Sequence, residues 1–507
     1  MLVLLPILML IAGAYVAFIA GKFSPGNQKI AGIMATLFSG IAFIGALILS
    51  GAIWNQYDSN AVQFLGLNIQ TDILSYTLGS TTLTMDPLGA LLTLVATGLT
   101  LVVSVYSITY MQKESRKEYF FPLMLLMVAG IAGIGLSNDL FTLYVFYELM
   151  CITSYILVAF KKDKWDSVEA GMKYVMLSAA GSAFALFGIA LVFGQFHTLD
   201  LVAISGMEVL STPLAGIAVM MLIIGFGVKA AIVPLHTWLP DAHSAAPTGI
   251  SALLSGIVIE TGVIILIKSL MIFRGAINFG ELLIVLAIIT MTVGNLMAFI
   301  QLSVKGPDLK RILAYSSIAQ VGYILLGLGL GFAYASDMGF RGGLFHIMTH
   351  AFMKGLAFLA AGAIIYRIGT RDISKMKGIG YAMPITSLAF TIAALSLAGA
   401  PPLSGFMSEW MIFKAGVDVS TTIGGWGIVI SIILLLNSAL SLGYYLPIIK
   451  AFFLKPTRKW KGIKEAPTLM LIPIIILTAI TITLGIWPDI GLRVIEPVVR
   501  FLMGGVI

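Results

Sequence analysis

Apolar runs of about twenty residues recur from one end of the chain to the other, separated by short polar connections. A bilayer core about 30 Å thick needs roughly 20 apolar residues per helix. That ruler places spans near 2–21, 30–53, 86–110, 119–137, 139–160, 167–195, 213–240, 247–273, 281–304, 311–333, 339–367, 383–415, 424–450 and 467–487. The pattern predicts an all-α polytopic membrane protein with fourteen transmembrane helices. The opening run, MLVLLPILMLIAGAYVAFIAGK, has no basic leader and meets its first positive charge only at its end. It is read as a transmembrane helix that starts outside, not as a cleaved signal. The longest connection, Trp54 to Met85, is rich in Thr, Ser and Asn and is expected to form a hairpin cap on the outer face.

The charges give an independent test, because cytoplasmic connections collect Lys and Arg. With the N-terminus outside, the inner connections hold 21 basic residues. Six of these, Lys450, Lys455, Arg458, Lys459, Lys461 and Lys464, lie between the last two spans. The outer connections hold four: Arg274, Arg341, Arg493 and Arg500. One missing or extra helix would scramble this alternation, so both ends are expected outside a cell membrane.

Composition narrows the class further. The 507 residues are 59% hydrophobic and only 10% charged, with a mean hydropathy of +1.02. A soluble domain carries about 25% charged residues. The net charge of +7 therefore reflects loop bias and not nucleic-acid binding. A single cysteine, Cys151, removes any disulfide framework or iron–sulfur site from this chain.

Five basic residues, Lys173, Lys229, Lys268, Lys354 and Lys414, fall inside apolar spans, together with Glu148, Glu260 and Glu409. A charge at a helix centre costs about 2.5–3.5 kcal/mol on insertion scales, so it implies a partner, a wet cavity or a function. Glu148 is central in the fifth span. Lys229 precedes Pro234, which opens the seventh helix by removing a backbone donor. Glu260 is central in the eighth span, and His346, His350 and Lys354 recur at spacing four on one face of the eleventh. Glu409 follows AGAPPLSGF, whose prolines and glycines break the twelfth span. Plainer uses compete: a packing ion pair for any of the central charges, a hydrogen-bonded core histidine for His346, and snorkelling for Lys268 and Lys414, near interfaces. Lys173 fits either kind of reading. Haem ligation fails because His346 and His350 share one helix turn, and zinc lacks further ligands.

The sixth and eleventh spans share a pattern. Ala170, Met172, Lys173, Ala179, Ala180 and Gly181 match Ala351, Met353, Lys354, Ala360, Ala361 and Gly362. The two spans are five apart and therefore oppositely oriented, which predicts inverted five-helix repeats over spans 4–8 and 9–13. Repeats of that kind, with a broken helix in each, place polar sites at the midplane. The expected divisions are 1–118, 119–273, 281–453 and 454–507.

The stretch VKAAIVPLHTWLPDAHSAAPTGISALLSG, with YELM, DLKRILAYSSIAQVGY and HAFMKGLAFL, resembles the antiporter-like membrane subunits shared by respiratory complex I, Mrp-type cation/proton antiporters and energy-converting membrane-bound hydrogenases. The resemblance implies fourteen helices with inverted repeats. It implies that Glu148 and Lys229 form a charge pair, that His350, Lys354 and Glu409 continue the ion path, and that His236 and His243 flank the end of the seventh helix. Lys310 and Arg311 match a cytoplasmic motif taken as structural. Glu260 stands where many relatives have lysine, which reverses the charge there, and Lys305 in KGP adds a cation near an entrance. The chain stops shortly after the fourteenth span, so the lateral helix of the largest members is expected to be missing.

The implied function is proton or Na⁺/H⁺ translocation, driven by opening and closing of the Glu148–Lys229 pair and relayed through Glu260, His350 and Lys354 to Glu409. No cofactor is expected in this chain. Fe–S clusters and a Ni–Fe site would sit in partner subunits, which would include other membrane subunits and a peripheral redox module on the cytoplasmic side, a hydrogenase or a NADH/quinone dehydrogenase-like unit. The alternatives are a subunit of a stand-alone Mrp-type Na⁺/H⁺ antiporter, a transport-dead structural subunit, and an independent fourteen-helix solute transporter. The last is disfavoured because the connection after the second span has no Lys or Arg.

Overall fold

The computed structural model describes residues 2–23, 29–57, 74–78, 81–114, 116–455, 460 and 462–504. Along them run α1 (Leu5–Phe23), α2 (Ile30–Tyr57), α3 (Pro87–Tyr110), α4 (Lys117–Leu136), α5 (Leu140–Val158), α6 (Trp165–Phe196), α7 (Leu201–Ser205), α8 (Pro213–Lys229), α9 (Trp238–Ala245) and α10 (Thr248–Leu253). There follow α11 (Ile259–Met271), α12 (Phe279–Ser303), α13 (Leu309–Tyr334), α14 (Asp337–Ile368), α15 (Pro384–Leu397), α16 (Ser404–Asp418), α17 (Ser420–Ile423), α18 (Gly425–Phe453), α19 (Thr468–Ile486) and α20 (Pro488–Gly504). A π turn, Leu254–Val258, joins α10 and α11 into one rod. The long outer connection contains an antiparallel hairpin, β1 (Ser75–Leu78) and β2 (Thr81–Thr84), registered Ser75↔Thr84. The rest of that connection over 58–73, and Arg458, Lys459 and Lys461 of the basic loop, lie outside the described residues.

Among the described residues twelve helices are long and apolar enough to cross a membrane, or thirteen if the bent pair Ile373–Tyr381 and α15 counts as one. The chain is therefore a nearly all-helical, multi-pass membrane protein. The difference from the fourteen expected spans falls where the helices are cut, leaving α8 with 17 residues and α15 with 14. At each cut a residue adopts a left-handed backbone, Ala231 at φ 54° and Gly399 at φ 69°. A polar backbone group without a partner in hydrocarbon costs several kcal/mol, and both cuts are repaired from outside. Trp238 Nε1 donates to the Val228 carbonyl at 2.8 Å, and Gln320 Nε2 donates to the Leu397 carbonyl at 3.0 Å.

The α10–α11 rod is buried on all sides and α13 nearly so, whereas α6 and α18 lie at the periphery. The rod reaches the first cut because position 262 is glycine: a Cβ there would lie 2.5 Å from the Ala230 amide nitrogen. After α19 the chain makes one more helix, α20, that the span ruler misses because it is amphipathic. Arg341 of α14 grips Glu496 of α20 with both terminal nitrogens, and Trp54 Nε1 donates to the Val494 carbonyl at 3.1 Å. Gly491 of α20 sits directly against Phe345 and Met348 of α14.

Lys268 corrects an expectation. Its position near a helix end suggests snorkelling, yet it is buried and paired with Asp86 at 2.6 Å, and it also donates to the carbonyls of Gly135 and Ser137 at 3.2 and 3.3 Å. Asp86 in turn caps α3, accepting from the Gly89 amide at 2.6 Å. The pair thus ties α3 and α4 to the central rod. Removing one partner of a buried pair costs about 3–5 kcal/mol because a lone charge remains, whereas an apolar replacement of both is nearly neutral. Asp86→Ala is expected to lower the thermal midpoint of the purified chain in detergent clearly, and Asp86→Leu with Lys268→Met to recover most of it. Equal midpoints for wild type and Asp86→Ala would show that the pair fastens nothing.

Candidate functional site

Lys229 is the last residue of α8 and is wholly buried. Its Nζ donates to Tyr174 OH at 2.6 Å and to Ser154 Oγ at 3.1 Å, and lies 4.9 and 5.5 Å from the ring centroids of Tyr174 and Tyr155. The Tyr174 ring stacks on Trp238 at 3.9 Å. The indole that repairs the first helix cut therefore also positions the acceptor of the lysine. Glu148, on α5, is half-buried and accepts a short hydrogen bond from Ser182 of α6. The expected Glu148–Lys229 ion pair is not made in this structure: Glu148 bonds Ser182, and Lys229 bonds Tyr174 and Ser154.

Across the glycine contact at position 262, Glu260 follows the π turn closely. Such turns re-aim side chains and recur at functional sites. Glu260 Oε1 lies 2.6 Å from His350 Nδ1, with both residues wholly buried. The His350 ring lies parallel to that of His346, centroids 5.9 Å apart, as the spacing of four on α14 requires. His346 is held by both nitrogens, Nδ1 to Ser408 Oγ and Nε2 to Gln320 Oε1, each at 2.8 Å. That is the hydrogen-bonded core arrangement. One turn beyond His350, Lys354 Nζ donates to Ser316 Oγ at 2.8 Å and to the Leu313 carbonyl at 3.0 Å.

From Ser316 the polar contacts continue to Tyr445 OH at 2.6 Å. Beside it Tyr444 OH donates to Asn295 Oδ1 at 3.0 Å, and Asn295 Nδ2 donates to the Asn437 carbonyl at 3.0 Å. The next residue, Ser438, donates to Glu409 Oε2 at 2.7 Å. Residues 437, 438, 441, 444 and 445 form one polar stripe along α18 at helical spacing. Several atoms along this axis are buried with no hydrogen-bond partner among the described residues: Glu260 Oε2, His350 Nε2 and Glu409 Oε1. Each unmade bond costs about 1–3 kcal/mol.

Two kinds of buried lysine are present. Lys268 faces a carboxylate and two carbonyls, and losing its proton would leave Asp86 buried as a lone anion. The acceptors of Lys229 and Lys354 are neutral hydroxyls and a carbonyl. Such groups accept equally from an ammonium or an amine N–H, so a change of protonation strands no countercharge. The first arrangement sets a fixed countercharge against the lysine and the second does not.

The remaining expected residues lie apart from this axis. His236 is partly buried beside the first cut, with Nδ1 unpaired among the described residues. His243 is wholly buried with its ring stacked on Phe358 at 4.8 Å. Lys173 is half-exposed and bonds Glu169 at 2.8 Å and Asp241 at 3.0 Å, so it does not occupy the buried setting of its repeat counterpart Lys354. Asp241 also holds Arg311 at 2.6 Å. Lys305 and Lys414 are exposed. Sequence reasoning missed Tyr174, Ser154, Ser316, Tyr445, Asn295 and Asp86. Asn295 carried a signal, an amide in the middle of an apolar span.

Comparison with known proteins agrees with this architecture. Residues 137–440 match the family model described as "NADH:quinone oxidoreductase/Mrp antiporter, TM", and residues 77–121 match "NADH-Ubiquinone oxidoreductase (complex I), chain 5 N-terminus". The F(420)H(2) dehydrogenase subunit N of Methanosarcina mazei is 32% identical, covering 96% of both chains. The NADH-quinone oxidoreductase subunit N of Desulforudis audaxviator is 30% identical over 99% of this chain and 98% of its own. Among solved structures, a chain of the membrane-bound sulfane sulfur reductase, an archaeal respiratory membrane complex, superposes with a TM-score of 0.83 at 26% identity, covering 100% of this chain and 99% of that one. With that match over more than half its length and relatives aligned nearly end to end, the chain belongs to the NADH:quinone oxidoreductase/Mrp antiporter family of membrane subunits.

Proposed function

We propose that the chain is a proton-translocating, antiporter-like subunit of a multi-subunit respiratory membrane complex. The observation that carries this reading is the set of buried polar groups at Lys229, Glu260, His350, Lys354 and Glu409, whose lysines are held by neutral acceptors. Protons enter from the cytoplasmic side through the first half. When Glu148 closes on Lys229 both charged forms are stabilised, and when they separate the proton passes toward Glu260 and His350. Lys354 receives it next, and release follows near Glu409. His236 and His243 serve the intake side, and Lys173, Lys305 and His346 play secondary parts.

The same reading arranges the chain as fourteen helices, the two cut ones each counting as a span, with inverted halves at 119–273 and 281–453 flanked by 1–118 and 454–507. Both ends lie on the outer side of the cell membrane. Redox chemistry belongs to partner subunits carrying Fe–S and Ni–Fe centres in a peripheral cytoplasmic module. A Mrp-type Na⁺/H⁺ antiporter subunit is the second reading, favoured by one feature: Glu260 places a carboxylate where a cation could dwell.

Three outcomes test the proposal. In an assembled complex in inverted vesicles, Lys229→Ala or Glu148→Ala is expected to abolish the coupled pH gradient read by a fluorescent dye, and retained pumping would remove both residues from the path. Tyr174→Phe takes away one acceptor of a charged donor, worth about 1.5–3 kcal/mol, and is expected to slow pumping about tenfold or more with assembly unchanged; an unchanged rate would mean the hydroxyl does not support Lys229. Rates equal with and without Na⁺ would count against the antiporter reading and against cation binding at Glu260.

A further inference from the structure

On the face that carries the Lys- and Arg-rich connections, where the two halves meet, lies a cavity of about 390 Å³ lined in part by Tyr110, Lys161, Lys164, Asp166, Lys310 and Arg371. Its cations come from three separate places in the chain: the connection before α6, the start of α13 and the residues after α14. Their partners differ. Lys161 is paired with Glu114, and Arg371 with Asp308 at 3.3 Å. Asp308 is already committed, since it caps α13 and accepts from Ser244 Oγ at 2.9 Å.

Lys310 is different. It is buried, only 3% exposed, and its Nζ donates to one acceptor, the Ala246 carbonyl at 2.7 Å. No carboxylate among the described residues pairs with it. It also sits in the first turn of α13, where the helix dipole disfavours a cation. An ammonium has three donors, and burying it without a countercharge costs several kcal/mol. Among the described residues Asp308 acts on Lys310 only at a distance and is shared with Arg371, so its countercharge is incomplete.

We propose that this cavity binds a phosphoryl group, with Lys310 as its buried anchor and Lys164 and Arg371 at its rim. A phosphoryl group suits the site better than a carboxylate. Free phosphate carries more than one negative charge and directs three or more oxygens apart, which matches cations arriving from three directions; a phosphodiester headgroup offers one permanent charge over two free oxygens, and basic pockets between transmembrane helices on the inner side take such headgroups. The source is either the headgroup of an anionic phospholipid or free phosphate. The site is separate from the transport reading but touches it mechanically. Lys310, Leu313 and Ser316 lie on successive turns of α13, and the last two hold Lys354, so an anion on Lys310 acts one turn from the acceptors of the axis lysine.

The full chain can be placed in phosphatidylcholine nanodiscs, with phosphatidylglycerol added in one arm, and retained lipid counted by native mass spectrometry. In a second arm, lipid-depleted chain in detergent is titrated with inorganic phosphate and followed by phosphorus NMR. Wild type is expected to retain phosphatidylglycerol over phosphatidylcholine, or to bind phosphate, with binding about tenfold weaker in Lys310→Gln and in Lys164→Gln, the loss of about one charge-assisted bond. Lys414→Gln, exposed and away from the cavity, is expected to behave as wild type. Lys164 is exposed, so its variant reads the site even if Lys310→Gln does not fold. Lipid retention without phosphate binding identifies a headgroup site, and phosphate binding alone identifies a free-phosphate site. Identical retention by wild type and both cavity variants, with no phosphate binding, overturns the proposal.

Discussion

A protonated amine in the membrane interior must be given acceptors, and which acceptors it gets decides what it can do. This chain answers in two ways. At Lys268 it supplies a carboxylate, and the outcome is a fastening between α3, α4 and the central rod. At Lys229 and Lys354 it supplies hydroxyls and a carbonyl, which lower the cost of burial without fixing the charge. The same residue type thus faces a fixed countercharge in one place and neutral acceptors in two others.

The helix cuts serve that constraint. A continuous helix keeps its carbonyls to itself, so a polar path at mid-membrane needs places where the backbone opens. Opening is tolerable only if each freed group finds a donor. Trp238 and Gln320 are those donors, and neither does one job only. Trp238 also stacks on the tyrosine that receives the Lys229 proton donor, and Gln320 also holds His346. Backbone repair and site geometry are therefore coupled, and disturbing one disturbs the other.

Much of this is legible in the residues themselves. Glu260, His350, Lys354 and Glu409 stand out because a charge among apolar neighbours is costly, and the spacing of four on α14 puts His346, His350 and Lys354 on one face. The cuts announce themselves through proline and glycine. The partners are harder to read. Serines and tyrosines are frequent in such spans, and only the packing of α5, α6 and α8 selects Ser154 and Tyr174 over the others. Lys268 misleads because its distance from a helix end is visible in sequence, while Asp86, remote along the chain, is not. Lys173 misleads in the opposite sense: the repeat pattern equates it with Lys354, but α6 lies at the rim and α14 at the centre. α20 escapes a ruler built for helices apolar on every side.

The position of α20 bears on how the central polar helix is covered. Gly491 rests on Phe345 and Met348, and Glu496 takes both arms of Arg341, so residues remote along the chain close one tip of α14, the helix that bears His350 and Lys354. A variant cut before α20 would reach the bilayer with that tip unsealed.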